Sequence, residues 1–193
     1  MEIILASASK RRQELLKELI SEFTIVKSDF DEESIPFHGE PSKYVEEISK
    51  GKALSVYESL KNKKGKLIVA CDTIVYHNGV VLGKPKDKEE AFIMLRSLSG
   101  NTHEVYSGFT VYNTTTDELI QESFSTKVRF MKLKEKEIED YINTGEPFDK
   151  AGAYGIQSGA SKFVEYIEGC YFNVVGLPLN KLYRVFREMG VIS

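Results

Sequence analysis

The sequence predicts an α/β fold with a mixed, twisted sheet and flanking helices, and three features carry that prediction. An apolar strand, "EIILA", runs through a Ser-rich turn into a helix. A hairpin is written in "KLIVACDTIVYHNGVVLGKP". Two longer alternating stretches, Thr102 to Tyr112 and Leu119 to Met131, are patterned to pair antiparallel. Helical segments lie between these strands, so the sheet combines both senses of pairing, and the evident hairpins argue against purely parallel winding.

Taken in order, Glu2 to Ala6 is a short buried strand, Ser7 to Ser9 a turn, and the spacing of Leu15, Leu16, Leu19 and Ile20 predicts a helix to about Ser21. Strand, turn and helix in that order set backbone N–H groups at the strand's carboxyl end, where α/β proteins often bind ligands. Phe23 to Lys27 alternates like a strand, and Asp29 to Glu33 is an acidic loop. Pro41 opens a long helix through Lys61, with Tyr44, Val45, Ile48, Ala53, Leu54 and Tyr57 among its apolar positions. The next segment reads as a strand, a polar interruption at Asp72 and Thr73, a second strand, and a turn at Asn78-Gly79. Asp87 and Glu90 form a capping box for a helix to about Leu98. After the two long strands comes a helix from Lys134 to Asn143, stopped by Gly145 and Pro147. "GEPFDKAGAYGIQSGASKF" holds four glycines without helical periodicity and is a structured loop. A strand over Phe163 to Ile167 and a helix from Pro178 to about Gly190 complete the chain.

With 193 residues, 41% of them apolar and 28% charged, the chain has the composition of a soluble globular protein large enough for a full core. A net charge of −3 argues against nonspecific nucleic-acid binding, which needs a basic surface, so any anion site must be local. No segment approaches the roughly 18 apolar residues of a membrane span, and the N-terminal apolar run is too short for a signal peptide. Cys71 and Cys170 fit no metal spacing and sit in apolar, strand-like surroundings. They read as buried thiols of a cytoplasmic protein.

Two features stand out chemically. The first turn of the first helix carries Lys10, Arg11 and Arg12, although a helix N-terminus has partial positive charge and favours anions. Either Ser7 or Ser9 caps an ordinary helix with solvated cations, or backbone N–H groups, hydroxyls and the guanidinium forks of Arg11 and Arg12 cradle a phosphate. The second feature is Asp72 in "LIVACDTIV". A carboxylate there needs a cation, a metal or access to solvent; it is either paired with a lysine or serves as a general base or metal ligand at a strand end. Lys84, a hairpin away, is its candidate neighbour or a second phosphate contact.

Other chemistries fail on spacing. "GVVLGKP" has one residue too few between its glycines and Pro85 in place of Ser or Thr, so it is not a P-loop. Gly152, Gly155 and Gly159 miss the dinucleotide-binding pattern, the three histidines have no metal-ligand spacing, and no Gly-x-Ser-x-Gly elbow occurs. What remains is a set of carboxylates, Asp31, Glu32, Asp72, Glu146 and Asp149, interspersed with Arg11, Arg12, Lys52, Lys84 and Lys150. That mixture suits Mg²⁺ with a polyphosphate, since Mg²⁺ takes one or two carboxylates plus substrate oxygens.

"LASASKRRQELL", "CDTIVYHNGVVLGKP", "LSGNTHEV" and "GEPFDKAGAYGIQSGASKFVEYIEGCYFNVVGLPL", taken together and in register from about Ile3 to Arg187, resemble the Maf family of nucleoside triphosphate pyrophosphatases. The resemblance implies a single domain over residues 1–193, an elongated two-lobed fold like that of inosine triphosphate pyrophosphatases, a central substrate cleft and a homodimer. It also implies hydrolysis of a nucleoside triphosphate to the monophosphate and pyrophosphate with a divalent metal, Mg²⁺ or Mn²⁺. Asp72 falls at the family's proton acceptor, and Arg11, Thr73 and Gln157 fall at its specificity positions. The Asp72-Thr73 pair and "AYGIQ" resemble the branch acting on dTTP and UTP. Two departures from the pattern are Lys10, where the family usually has Pro, and Ser158, where Gly is common.

On this reading Asp72 and Glu32 hold the metal. Ser7, Ser9, Arg11, Arg12, Lys52, Lys84 and Lys150 spread the phosphate charge, and Thr73 and Gln157 read the pyrimidine edge. The alternatives are a non-enzymatic nucleotide sensor with the same cradle, and a nucleic-acid-binding regulator of cell division, which the acidic charge disfavours.

Overall fold

In a computed structural model of the chain, residues 1–192 are described. The strands are β1 (Glu2–Leu5), β2 (Thr24–Ile25), β3 (Lys66–His77), β4 (Val80–Leu82), β5 (Thr102–Asn113), β6 (Glu118–Phe130) and β7 (Val164–Glu168). The helices are α1 (Lys10–Lys17), α2 (Pro41–Ser59), α3 (Lys88–Leu98), α4 (Glu135–Ile142), α5 (Tyr171–Val175) and α6 (Leu179–Glu188). One seven-stranded sheet runs β2-β1-β3-β5-β6-β7, with β4 paired to β3 off that path. β1 pairs parallel with β2 and β3, whereas β3–β4 and β6–β7 are antiparallel. This is the mixed α/β architecture the sequence predicts.

Several boundaries differ from the sequence reading, each for a physical reason. Asp72 and Thr73 do not interrupt their strand: β3 is continuous, because a polar side chain leaves the backbone ladder intact and only changes what one face presents. The predicted strand at Phe23 to Lys27 shrinks to two residues, both exposed, so no burial rewards its extension. α1 ends at Lys17 rather than Ser21, closing with Glu18 N–H to Leu15 O at 3.2 Å and Leu19 N–H to Leu16 O at 3.0 Å. The glycine-rich loop contains three short 3₁₀ turns, Glu146–Asp149, Ala151–Ala153 and Gly159–Phe163. Helix α5 has no counterpart in the sequence reading. Cys71 is buried as expected but Cys170 is only half-buried, and neither is in a disulfide.

The chain divides into two compact units. The first comprises Met1–Asp72, Ser107–Phe124 and the chain from Gly176 onward. Its core includes Ile4 and Ala6 of the first strand and its exit, Ala53 and Val56 of α2, Ile68 and Ala70 of β3, and Tyr112 of β5. Alternation along β3 sends Ile68 and Ala70, and by the same period Asp72, to one face, where α2 supplies Val56, Ala53 and Lys52. Fully burying a side chain such as Val56 contributes on the order of 1.5–3 kcal/mol. The approach of α2 to β5 depends on Gly108, whose Cβ would lie 2.6 Å from the Val45 carbonyl carbon.

The second unit comprises Thr73–Tyr106 and Ser125–Val175. Its core joins Ala91, Met94, Leu95 and Leu98 of α3 to Ile138, Tyr141 and Ile142 of α4, around Phe130, Tyr154 and Phe163. The aromatic rings meet edge to face, with Phe130 and Tyr154 centroids 4.8 Å apart. His103 lies in this cluster, its Nε2 2.7 Å from the Tyr154 hydroxyl. Burial, and then the charge of His77, lower the His103 pKa to about 3.

Candidate active site

In the first unit the α2-facing row of β3 ends on a carboxylate rather than an apolar group. The Lys52 ammonium meets it, donating to Asp72 Oδ1 at 2.6 Å and pairing with Glu32 Oε1 at 2.8 Å. Lys52 and Asp72 side chains are 11% and 8% exposed, Glu32 51%. One buried cation on α2 therefore gathers two carboxylates from two other segments, β3 and the 3₁₀ turn Glu32–Ser34. Of the two open readings of Asp72 the pairing with a lysine is present, and Asp72 lies inside β3 rather than at a strand end. The turn bearing Glu32 is shaped by Asp31, whose Oδ1 accepts from Glu33 N–H at 3.1 Å and whose carbonyl accepts from the Ser34 hydroxyl at 2.6 Å.

β1 lies parallel to β3 with Leu5 opposite Val69, and Ala6 N–H donates to Val69 O at 2.8 Å. That register carries Ser7 to the same end of the sheet as Asp72. Ser9 is the N-cap of α1, its side chain accepting from Arg12 N–H at 3.5 Å, while Ser7 Oγ accepts from Ser9 N–H at 3.2 Å. The cap is thus Ser9, with Ser7 shaping the turn before it. Arg12 Nε donates to Gly176 O at 2.9 Å, and the Cys71 thiol approaches the same carbonyl at 3.1 Å. Gly176 O thereby ties the first turn of α1 to the residue next to Asp72. Arg11 is half-buried in the same turn, while Lys10, the departure from the family pattern, is exposed.

The second unit holds its own set. The Lys150 side chain is 10% exposed, and its ammonium donates to Asp149 Oδ1 at 2.6 Å and Glu146 O at 2.7 Å. Its stem runs across Gly155, where a Cβ would lie 2.6 Å from Lys150 Cε. Glu146 Oε2 accepts from Gly159 N–H at 2.9 Å, so the acidic residues of this loop brace it. Gly152 N–H donates to Gly83 O at 3.0 Å, which brings the segment bearing exposed Lys84 beside the Lys150 loop. Gln157 is exposed in the turn after Gly155, and Thr73 is half-buried in β3. The departure at Ser158 is accommodated: its hydroxyl donates to Gly155 O at 3.0 Å.

Two participants were not read from the sequence. Tyr44, assigned only to the apolar face of its helix, lies eight residues before Lys52, two turns along the same face. Burial, then the charges of Asp72 and Glu32, push its phenol pKa up. The helical period held that signal. The Gly176 carbonyl had no such signal, because a backbone acceptor is identified only by what the fold brings to it.

The donor set fits a hard divalent cation bound jointly with a substrate. Asp72 and Glu32 each present an oxygen within 2.8 Å of one ammonium, so the two carboxylates converge. Among the described residues no cluster of three or more His, Cys, Asp or Glu could hold a metal alone. Mg²⁺ sites of this kind draw their remaining ligands from water and phosphate oxygens. Among the described residues no helix is long and apolar enough to cross a membrane.

The architecture is that of the HAM1 fold. A solved structure of a HAM1 protein from Coxiella burnetii aligns with a TM-score of 0.52 at 14% identity, covering 97% of this chain and 99% of that one. The chain belongs to the Maf family: residues 2–189 match the family described as Maf-like protein. It is 56% identical over 189 residues to a protein of Clostridium botulinum strain Okra named dTTP/UTP pyrophosphatase, covering 98% of this chain and 97% of the relative. A Clostridium tetani protein of the same name is 54% identical over 191 residues, covering 99% of each.

Proposed function

We propose that this chain hydrolyses nucleoside triphosphates, dTTP and UTP foremost, to the nucleoside monophosphate and pyrophosphate. Its Maf membership and the names of its 54–56% identical relatives support the substrate class. The observation that carries the chemistry is the buried Asp72 carboxylate held at 2.6 Å by Lys52, with Glu32 on the same ammonium.

In this reading Asp72 and Glu32 hold Mg²⁺ or Mn²⁺, which when bound supplies charge neutralisation on phosphate oxygens. Asp72 orients a water and accepts its proton as the water oxygen bonds to the α-phosphorus. The bond from that phosphorus to the β-phosphate bridging oxygen breaks, and pyrophosphate departs with the electron pair. Lys52 fixes the Asp72 carboxylate in position and adds positive charge beside it. Ser7, Ser9, Arg11, Arg12, Lys84 and Lys150 are assigned to the phosphates, with Arg12 also anchored on Gly176 O. Arg11, Thr73 and Gln157 are assigned to specificity, Thr73 and Gln157 through hydrogen bonds to the pyrimidine edge. A single domain with two lobes, a homodimeric assembly and a cytoplasmic location complete the reading.

The test is pyrophosphate release from dTTP and UTP, with Mg²⁺ or Mn²⁺, by the wild-type chain and by Asp72→Asn. Turnover by the wild type that falls at least 100-fold in the variant is the expected result for loss of a general base. Near-normal turnover by Asp72→Asn would remove Asp72 from that role. Binding of triphosphate without any pyrophosphate from the wild type would make the chain a nucleotide sensor instead.

A further inference from the structure

The acidic segment that carries Glu32 is held to α2 by an aromatic seat. The Phe30 ring lies where a side chain at position 51 would project: a Cβ on Gly51 would stand 2.3, 2.4 and 2.6 Å from its Cζ, Cε2 and Cε1. Gly51 immediately precedes Lys52, and Phe30 is two residues before Glu32, so ring and notch flank the ion pair between Glu32 and Lys52 at 2.8 Å. A second aromatic contact, Phe37 edge-on to Tyr44 at 5.4 Å between centroids, pins the far end of the segment to the same helix. Glu32 itself is half-exposed in a three-residue 3₁₀ turn whose Asp31 bonds are internal to that turn. Those bonds shape the turn without fixing where it sits on the protein.

Gly51 also occupies the interior of a 19-residue helix, where glycine is a poor helix former and alanine a good one. Its glycine makes room for the ring at the expense of helix propensity.

We infer that Phe30, seated in the notch at Gly51, is a positioning residue that sets the Glu32 carboxylate beside Asp72 for the divalent cation. The inference rests on the proposed metal role of Glu32. Removing the ring, or filling the notch, leaves Glu32 chemically intact but displaces it, and the consequence falls on metal affinity.

The experiment is Mn²⁺ titration of the full-length chain with a dTTP analogue whose α,β-bridge is an imido group that water cannot cleave, by calorimetry and corrected for Mn²⁺ binding to the analogue alone, for wild type, Glu32→Gln, Phe30→Ala, Gly51→Ala and Phe30→Ala/Glu32→Gln. Thermal unfolding is recorded alongside. Phe30→Ala and Gly51→Ala are expected to weaken Mn²⁺ binding about 10-fold or more, in the range of residues that support metal ligands. Phe30→Ala is expected to add nothing in the Glu32→Gln background, because it acts through that carboxylate. Gly51→Ala is expected to keep or raise the unfolding temperature while losing affinity, which a merely structural role would not produce. Wild-type affinity in Phe30→Ala and Gly51→Ala, with Glu32→Gln weakened, would overturn the positioning role and leave the metal reading intact. An equal loss from Phe30→Ala in both backgrounds would overturn it too. Unchanged affinity in Glu32→Gln would remove Glu32 from the metal and the positioning role with it.

Discussion

Replacing Lys52 by methionine removes one ammonium from two carboxylates while keeping an unbranched apolar stem in its place. Asp72 is 8% exposed and loses its partner at 2.6 Å, which leaves an uncompensated buried charge. That situation costs on the order of 3–5 kcal/mol. The Glu32 arm, 51% exposed on the carboxylate side, adds at most about 1 kcal/mol because solvent screens it. For a chain of this length each kcal/mol moves the unfolding temperature by about 2–4 °C, so Lys52→Met should unfold roughly 6–24 °C below wild type. The double variant Lys52→Met/Asp72→Asn should recover more than half of that loss, since no unpaired carboxylate remains buried. Divalent cation at 100 times its dissociation constant should stabilise the single variant by about 2.7 kcal/mol, and the double variant, which lacks the Asp72 carboxylate, by less. Urea and thermal unfolding followed by circular dichroism, with and without Mg²⁺, make the measurement. A single variant within about 1 kcal/mol of wild type would refute the reasoning, as would a double variant no more stable than the single.

The stability of the chain should also fall with acid through His103. Its folded pKa, about 3, lies below the ordinary 6.5, so the unfolded chain takes up the proton first. Stability is fully present above pH 6.5 and declines as pH falls toward 3, with a limiting slope of about 1.4 kcal/mol per pH unit. His103→Gln, compared with wild type across that window, should show a flatter acid limb; parallel limbs would remove His103 as its cause. Gly155→Ala should reach activity through Lys150, because the new Cβ meets the lysine stem 2.6 Å from Cε and displaces the ammonium. A fall in kcat/KM for dTTP of roughly 10-fold or more is expected, as for small misplacements of a positioned group. Wild-type kinetics in that variant would return Lys150 to bracing its own loop.

The elements most legible in the sequence were those with local chemistry. Half of the capping box expected for α3 is present, with Asp87 Oδ1 accepting from Glu90 N–H at 2.8 Å while the Glu90 carboxylate reaches Lys86 N–H at 2.7 Å instead of Asp87 N–H, and the Asn78-Gly79 turn joins β3 to β4. Pro41 does begin α2 and Pro178 does precede α6. Less legible were α5, five residues long, and the short turns of the glycine-rich loop, where no period has room to develop. Asp72 was recognisable as an anomaly because a carboxylate in an apolar strand violates the pattern around it. The role of Lys52 was harder to read, since a lysine in a long helix looks the same whether its ammonium meets solvent or a buried acid.

The sequence by itself determined the class of fold, the anomaly of Asp72 in an apolar strand, the serine-capped turn bearing Arg11 and Arg12, and membership in a family whose motifs lie in order along the chain. These follow from periodicity, caps and turn chemistry, which act over a few residues and are written in adjacent letters. Only the tertiary structure decided which lysine meets Asp72, that Glu32 shares it, that Arg12 and Cys71 converge on one carbonyl, and that Gly51 opens a seat for Phe30. Those contacts join segments 20 or more residues apart, and their energies depend on burial and distance, which exist only once the chain has packed.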